Sequence, residues 1–213
     1  MLTTTLSQLH QLKLSGMAKA LSQQLEQPGQ YQDLCFAERL QLLTDQEIHE
    51  RDNRKQQRLL KQAQLKLAAT AHDIDYQHPR GLQKSVMIGL LQCDWLQRQQ
   101  NLLLTGPCGT GKTYIACALA NTACLKGYTV KYYRVSRLLM ELTQAKADGT
   151  YSKKLKSLAK LNLLILDDWG LEPLKAAQRN DLMEIMDDRH GSSSTILISQ
   201  LPTDQWYQSI GDN

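Results

Sequence analysis

Eight residues near the middle of the chain have the types and spacing of a phosphate-binding loop. They form the segment 106–113, GPCGTGKT, which follows the apolar run 102–104. The pattern G-x-x-x-x-G-K-T between a strand and a helix is typical of a P-loop, whose glycines let backbone amides turn toward a polyphosphate. The helix that follows presents its positive end to the same anion. The spacing therefore predicts a site for a nucleoside triphosphate.

Two side chains of this loop have separate tasks in such a site. The Lys112 ammonium can reach the β- and γ-phosphates, and the Thr113 hydroxyl can ligate Mg²⁺. Cys108 is either a small tolerated side chain or a thiol whose oxidation would block nucleotide entry. The residues predicted to bind the nucleotide are Gly106, Pro107, Cys108, Gly109, Thr110, Gly111, Lys112 and Thr113.

Two aspartates at the end of a later strand would complete the site. Asp167 and Asp168 follow the apolar residues 163–166, which is the pattern of a Walker B motif. Asp167 is expected to hold Mg²⁺ through water, opposite Thr113. Asp168 is placed to orient or deprotonate the attacking water. Many buried strands end in acidic loops, so this pattern alone is weak evidence for a metal site. It becomes strong in combination with the P-loop.

The next strand ends in two polar residues, Ser199 and Gln200. At this position they could hydrogen-bond the γ-phosphate or its attacking water, which is a sensor role in catalysis. Alternatively, they only begin a turn before Pro202. The local sequence leaves both interpretations open.

The composition is that of a soluble protein. The 213 residues are 42% hydrophobic and carry a net charge of +4. No apolar run approaches the ~18 residues of a membrane span, and the N-terminus lacks the features of a secretory signal. The five cysteines show neither zinc spacing nor an even count, which indicates reduced thiols and a cytoplasmic location.

A small all-helical N-terminal domain, 1–75, is expected to precede an α/β domain, 76–213. Residues 6–26 read as one amphipathic helix, and a second helical region runs with interruptions over 36–71. Strands and helices then alternate, which predicts a parallel sheet with helices on both faces. The predicted strands are 102–105, 128–133, 161–166 and 195–199, and the predicted helices are 113–126, 137–147, 152–160 and 176–189.

Two clusters of basic side chains are candidates for contacts with DNA phosphates. The first shares one face of an N-terminal helix, where acidic residues four positions earlier could instead form ordinary intrahelical ion pairs. The second lies between the second and third strands. The residues are Arg51, Arg54, Lys55 and Arg58 in the first cluster and Lys153, Lys154 and Lys156 in the second.

The combined motifs resemble the IstB helper ATPases of bacterial insertion sequences, relatives of the DnaC helicase loader in the AAA+ class of P-loop NTPases. The resemblance covers essentially the whole chain. It implies a sheet of order 5-1-4-3-2, ATP-dependent assembly on double-stranded DNA, and stimulation of the transposase of the same element. The segments that carry it are 80–82, 93–95, 106–113, 132–139, 163–171, 199–202, Trp206 and 210–212.

The resemblance implies the roles given above for the P-loop, for the two aspartates and for the Ser199–Gln200 pair. The chain between the second and third strands is long enough for two helices, which resembles the initiator and loader branch of the AAA+ class, whose members act on DNA. The lysine cluster falls in this insertion. We therefore prefer it over the N-terminal cluster as the DNA contact.

The sequence departs from the family pattern at its end. In the family, a segment with the motif Asp-Arg-Leu and the fifth strand follow the position of Asp212, and the arginine reaches the ATP site of a neighbouring subunit in a homo-oligomer. Arg179 and Arg189 match no such motif. The expectation is a P-loop strand at an exposed edge and very slow hydrolysis, since an arginine finger contributes ~10³–10⁵ in rate.

Three functions remain open on the sequence. The segments DDWGL, SQLP and Cys-Asp-Trp favour an ATPase that assists transposition. A DnaC-like helicase loader would have the same fold and nucleotide site. A hydrolysis-deficient remnant would bind only ATP or DNA. Co-purification with a transposase rather than with a hexameric helicase would separate the first two.

Overall fold

The structure, a computed structural model, describes residues 2–77 and 81–206. Contacts divide the chain into two compact units, and the division falls between Arg58 and Leu59. Leu59 already belongs to the hydrophobic core of the second unit. The expected division into domains 1–75 and 76–213 stays a prediction.

The first unit is helical. Helix α1 spans Leu2–Gln11, α2 spans Ser15–Glu26, and α3 begins at Phe36 and continues to Ala63, past the end of the unit. The prediction of one helix over 6–26 is wrong, because Lys13 adopts a left-handed conformation with a φ of 60°. The amides of Lys13 and the next residue bond back to carbonyls of α1 and end that helix.

A buried glutamate fastens α2 to α3. Glu47 Oε2 accepts hydrogen bonds from the amides of Gly16 at 2.7 Å and Met17 at 3.2 Å, and Oε1 accepts one from Arg51 Nε at 2.7 Å. A Cβ at Gly16 would lie 2.7 Å from the Gln46 carbonyl oxygen, so glycine permits this close approach. Burial by itself raises the pKa of Glu47, but its hydrogen bonds outweigh burial and lower it.

A parallel sheet forms the centre of the second unit. Its strands are β1 (Leu102–Thr105), β2 (Val130–Arg134), β3 (Leu163–Trp169) and β4 (Ser194–Ser199). They lie in the order β1-β4-β3-β2, which agrees with the implied order over the described strands. The predicted strands are confirmed with small shifts, the largest at the end of β3. Among the described residues β1 lies at the edge, and Leu103 is 51% exposed.

Helices cover both faces of this sheet. They are α4 (Lys84–Leu91), α5 (Asp94–Gln97), α6 (Lys112–Leu125), α7 (Val135–Ala147), α8 (Tyr151–Ala159) and α9 (Ala176–Arg189). One hydrophobic core contains α6, and the other contains α7, α8 and α9. The four longer helices confirm the predictions, and Gly127, Gly149 and Gly191 follow three of them with positive φ, as expected. The short helices α4 and α5 were not predicted.

Two further findings bear on the sequence-based expectations. Within the described residues, none of the helices has the length and apolar character that crossing a membrane requires. Arg80 and the segment 210–212, which contribute to the resemblance, lie outside the described residues.

Arg189 is a structural residue at the end of α9. Its guanidinium donates to the carbonyl oxygens of Leu158 at 2.6 Å, Leu161 at 3.0 Å and Ser194, and to the Thr195 hydroxyl at 3.1 Å. Arg189 is 1% exposed, and burial lowers its pKa to about 10. A side chain enclosed in this way joins α8, α9 and β4 and has no reach toward another molecule.

We expect Arg189→Met to lower the free energy of unfolding by about 3 kcal/mol, because it removes the guanidinium donors from three carbonyl oxygens and from the Thr195 hydroxyl. Arg189→Lys should recover little, since an ammonium cannot reproduce the planar set of donors. Urea denaturation measures the change. The exposed Arg98 serves as a matched control, and Arg98→Met should stay within about 0.5 kcal/mol of the parent. Equal stability of the two Met variants would contradict the structural role.

The lowered pKa of Glu47 predicts a pH dependence of stability. Its charge stabilises the folded chain above the ordinary pKa of a glutamate, and this contribution is lost as the pH falls through the lower, folded value. The stability difference between the parent and Glu47→Gln should therefore shrink from pH 7 toward pH 3 in urea denaturation. Glu26→Gln, at an exposed position on α2, is the control and should show no such trend. A constant difference across the range would refute the assignment.

Candidate nucleotide-binding site

The P-loop connects the carboxyl end of β1 to the start of α6. Gly106, Gly109 and Gly111 have φ values of 146°, 82° and 85°, which other residues rarely adopt. The Thr110 hydroxyl donates to the Pro107 carbonyl at 3.0 Å and braces the turn. A glycine loop of this conformation, followed by the first turn of a long helix, is suited to an anion.

The Lys112 side chain bonds to the backbone at the start of its own loop. Its ammonium donates to the carbonyl oxygens of Gly106 at 2.6 Å and Pro107 at 2.7 Å. These acceptors are neutral, and the Pro107 bond is exposed. A phosphate oxygen would compete for the ammonium with an advantage, since it carries a negative charge that the carbonyl oxygens lack.

Asp167 is the most heavily bonded carboxylate of the site. Its Oδ2 accepts hydrogen bonds from the Thr113 hydroxyl at 2.9 Å and the Tyr132 hydroxyl at 2.6 Å, and its Oδ1 accepts one from the amide of Asp168 at 2.8 Å. Asp167 is 2% exposed. The structure thus brings together Thr113 and Asp167, which are 54 residues apart in sequence.

Tyr132 is a site residue that the sequence reasoning missed. It lies opposite Ile165 in the pairing of β2 with β3, so Asp167 is its diagonal neighbour on the same face of the sheet. Burial and the adjacent carboxylate raise the pKa of Tyr132. Its hydroxyl therefore stays protonated and donates a hydrogen bond to Asp167. The strand pairing was needed to find this contact, since nothing in the local sequence around Tyr132 points to Asp167.

Asp168 differs from its neighbour in backbone and partners. It has a φ of 63°, a left-handed conformation uncommon outside glycine, and the pairing of β3 with β4 shifts register around it. Such irregularities redirect a side chain away from the regular pleat. Asp168 Oδ2 lies 3.4 Å from Arg134 Nε at the end of β2. Arg134 is therefore paired with a carboxylate.

The P-loop and the two aspartates border a cavity of about 270 Å³. Gln200, at the end of β4, and Lys66, in the segment after α3, also line it. A larger groove of about 820 Å³ lies between α7 and the loop after β3, and it shares Asp168 with the smaller cavity. The smaller cavity is the candidate phosphate site, because residues of the P-loop line it and do not line the larger groove.

The two residues of the predicted sensor pair have different environments. The Ser199 hydroxyl is fully buried, donates to the Trp169 carbonyl at 2.8 Å and accepts the Leu201 amide at 3.0 Å. The first bond ties β4 to β3, and the second closes the turn after β4. Gln200 is partly exposed at the cavity. The geometry favours Gln200 as the residue that could contact a bound nucleotide, whereas the Ser199 hydroxyl serves the turn.

The oxygen donors of the site fit Mg²⁺. The Thr113 hydroxyl and the Asp167 carboxylate are hard ligands, and Mg²⁺ usually takes one or two carboxylates together with water and substrate phosphates. Among the described residues there is no group of three or more His, Cys, Asp or Glu side chains that would form a protein-only metal cage. Cys108 is exposed in the loop.

The lysine cluster of α8 is not uniform. Lys154 donates to Glu141 Oε2 at 2.7 Å and to the Tyr133 hydroxyl at 2.9 Å, so its charge is engaged within the second unit. Lys153 and Lys156 are exposed on the same helix. The expectation that all three contact DNA phosphates is weakened for Lys154 by these bonds.

The arginine cluster of α3 is divided in the same way. Arg51 Nε lies 2.7 Å and Arg54 Nη2 3.6 Å from Glu47 Oε1, and Arg54 Nε donates to the Glu50 carbonyl. The alternative of intrahelical ion pairing is therefore present for these two side chains. Lys55 and Arg58 are exposed.

The sheet order, the P-loop and the paired aspartates give the chain the fold of the AAA+ class of P-loop proteins. The fold is similar to the crystal structure of the DnaC helicase loader, with a TM-score of 0.54 and 23% identity over 60% of this chain and 77% of that one. It is also similar to DnaI, with a TM-score of 0.57 and 22% identity over 72% of this chain and 79% of that one. These identities show the fold alone.

The chain belongs to the family of IstB-like ATP binding proteins, whose model matches residues 7–213. It is 50% identical to an ATP-binding protein of insertion sequence IS1162 from Pseudomonas fluorescens, over 93% of this chain and 86% of that protein. It is 43% identical to the insertion sequence ATP-binding protein y4pL of Sinorhizobium fredii, over 98% of this chain and 84% of that protein.

Proposed function

We propose that this chain binds ATP with Mg²⁺ in the cavity between the P-loop and the two aspartates, and hydrolyses it there. The hydrogen bond between Thr113 and Asp167 carries the proposal, because it places a hydroxyl and a carboxylate together beside a phosphate-binding loop. When bound, Mg²⁺ would neutralise charge on the β- and γ-phosphates.

The residues of the cavity then take distinct roles. Loop amides and the Lys112 ammonium bind the phosphates, Thr113 and Asp167 hold the ion, and Tyr132 fixes the Asp167 carboxylate. Asp168 orients the attacking water or accepts its proton. Gln200, which lines the cavity after the end of β4, senses the γ-phosphate. This division agrees with the different burial and partners of the two aspartates.

Substitutions should separate binding from hydrolysis. Lys112→Ala should weaken ATP binding by about 10-fold or more, because it removes a charged hydrogen-bond donor. Asp168→Asn should retain ATP binding but slow hydrolysis by about 10²-fold, the loss typical of a missing base. Calorimetry measures binding, and phosphate release measures turnover. Asp187→Asn, at an exposed position of α9, is the control. Unchanged turnover in Asp168→Asn would exclude Asp168 as the base.

We further infer that ATP binding serves the transposition of an insertion sequence. The relatives quoted above are named as ATP-binding proteins of such elements. The proposed action is ATP-dependent assembly of several copies on double-stranded DNA, followed by stimulation of the transposase of the same element. The named function of DnaC as a helicase loader supports the alternative of helicase loading. Affinity purification from cells that carry the complete element distinguishes the two by the partner recovered.

The exposed lysines of α8 are the proposed DNA contacts. Replacing Lys153 and Lys156 by Ala should weaken binding to duplex DNA in the presence of ATP and reduce the salt slope by about 2, since each phosphate contact contributes ~0.9. Lys55 and Arg58, exposed on α3, form the comparison pair. Fluorescence anisotropy at several salt concentrations measures both. If only the Lys55 and Arg58 substitutions reduce the slope, the N-terminal cluster is the contact.

A further inference from the structure

A lysine from outside the two motifs lies in the nucleotide cavity. Lys66 follows the end of α3, within the second unit, and lines the cavity together with Lys112 and Asp167. Its ammonium is 3.8 Å from Asp167 Oδ2, the oxygen that also accepts the Thr113 hydroxyl. The Lys66 side chain is 34% exposed. The Lys66 ammonium therefore lies beside the Asp167 carboxylate, which is the group expected to hold a divalent ion.

The backbone that carries Lys66 is held in place on two sides. The amides of Lys66 and Leu67 lie near the Cys117 thiol on α6, four residues beyond Thr113. Lys131 of β2 donates to the Gln62 carbonyl at 3.1 Å and to the Gln64 side-chain oxygen at 2.6 Å. The start of the Lys66 side chain is thus fixed relative to the P-loop helix and the sheet, while its ammonium has room to move.

Lys66 is the positively charged partner of the buried Asp167 carboxylate. Asp167 is 2% exposed, and its two hydroxyl donors, Thr113 and Tyr132, are neutral. Among the residues the structure describes, Lys66 forms the ion pair with Asp167, while the Lys112 ammonium is bonded to loop carbonyls. The Lys66 pair is long and partly exposed, so it is weak and can be exchanged for another partner.

We propose that Lys66 is a further ligand of the nucleotide phosphates and supports nucleotide binding when no divalent ion is bound. Without nucleotide, its ammonium neutralises Asp167. With nucleotide, it turns to a phosphate oxygen, and Asp167 becomes available to a divalent ion. This inference rests on the proposed ATP site and adds a residue of that site from the segment after α3.

The test compares ATP binding with and without Mg²⁺ in the full chain. In EDTA, Lys66→Met should bind ATP about 10-fold more weakly than the parent, because it loses a charged contact to phosphate. In Mg²⁺ the loss should be below about threefold, since the ion then supplies positive charge at the same place. Lys66→Arg should retain most of the affinity in EDTA. Lys126→Met removes the same charge at the far end of α6 and should change neither value.

A second measurement uses the unmodified chain and does not depend on the folding of a variant. ATP in EDTA should protect Lys66, but not Lys126, from acetylation by an amine reagent, as read by mass spectrometry of peptides. Equal affinities of parent and Lys66→Met in EDTA, an equal loss in EDTA and in Mg²⁺, or no protection of Lys66 would each overturn the inference. If the parent binds no ATP even with Mg²⁺, the proposed function itself fails.

Discussion

The buried carboxylate of Asp167 is the constraint on which the site depends. A charge that is 2% exposed is costly unless polar partners surround it, and here the partners come from separate parts of the second unit. Thr113 belongs to α6, Tyr132 to β2, and Lys66 to the segment after α3. Satisfying one carboxylate therefore fixes the first turn of the P-loop helix against the sheet.

The parallel sheet explains why these groups meet at one edge. In an open α/β sheet, ligands bind beside the carboxyl ends of the strands. Here each strand of the described sheet contributes to that edge: the P-loop follows β1, Arg134 ends β2, Asp167 and Asp168 lie near the end of β3, and Gln200 follows β4. Since the strands lie side by side and parallel, residues far apart in sequence become neighbours.

Local patterns predicted the parts of this arrangement that depend on local chemistry. The glycine spacing identified the loop, and the apolar run before Asp167 identified β3. The patterns missed features that depend on one backbone angle or on distant contacts. Apolar periodicity continues across Lys13, whose left-handed conformation ends α1. Tyr132 and Lys66 reach Asp167 only through strand pairing and through the path of the chain after α3, neither of which leaves a spacing pattern.

The neighbouring aspartates show how backbone conformation can give two identical side chains different environments and different proposed roles. Asp167 is enclosed among hydroxyl donors, which suits a carboxylate that holds a cation. Asp168 has a left-handed backbone at a shift in strand register, so its side chain leaves the pleat for a partly exposed position beside Arg134. A carboxylate that acts on water needs access to the nucleotide side of the sheet edge, and a regular pleat would turn Asp168 to the face opposite Asp167. The irregular end of β3 is therefore a requirement of the proposed chemistry, and a regular strand with the same two residues would not meet it.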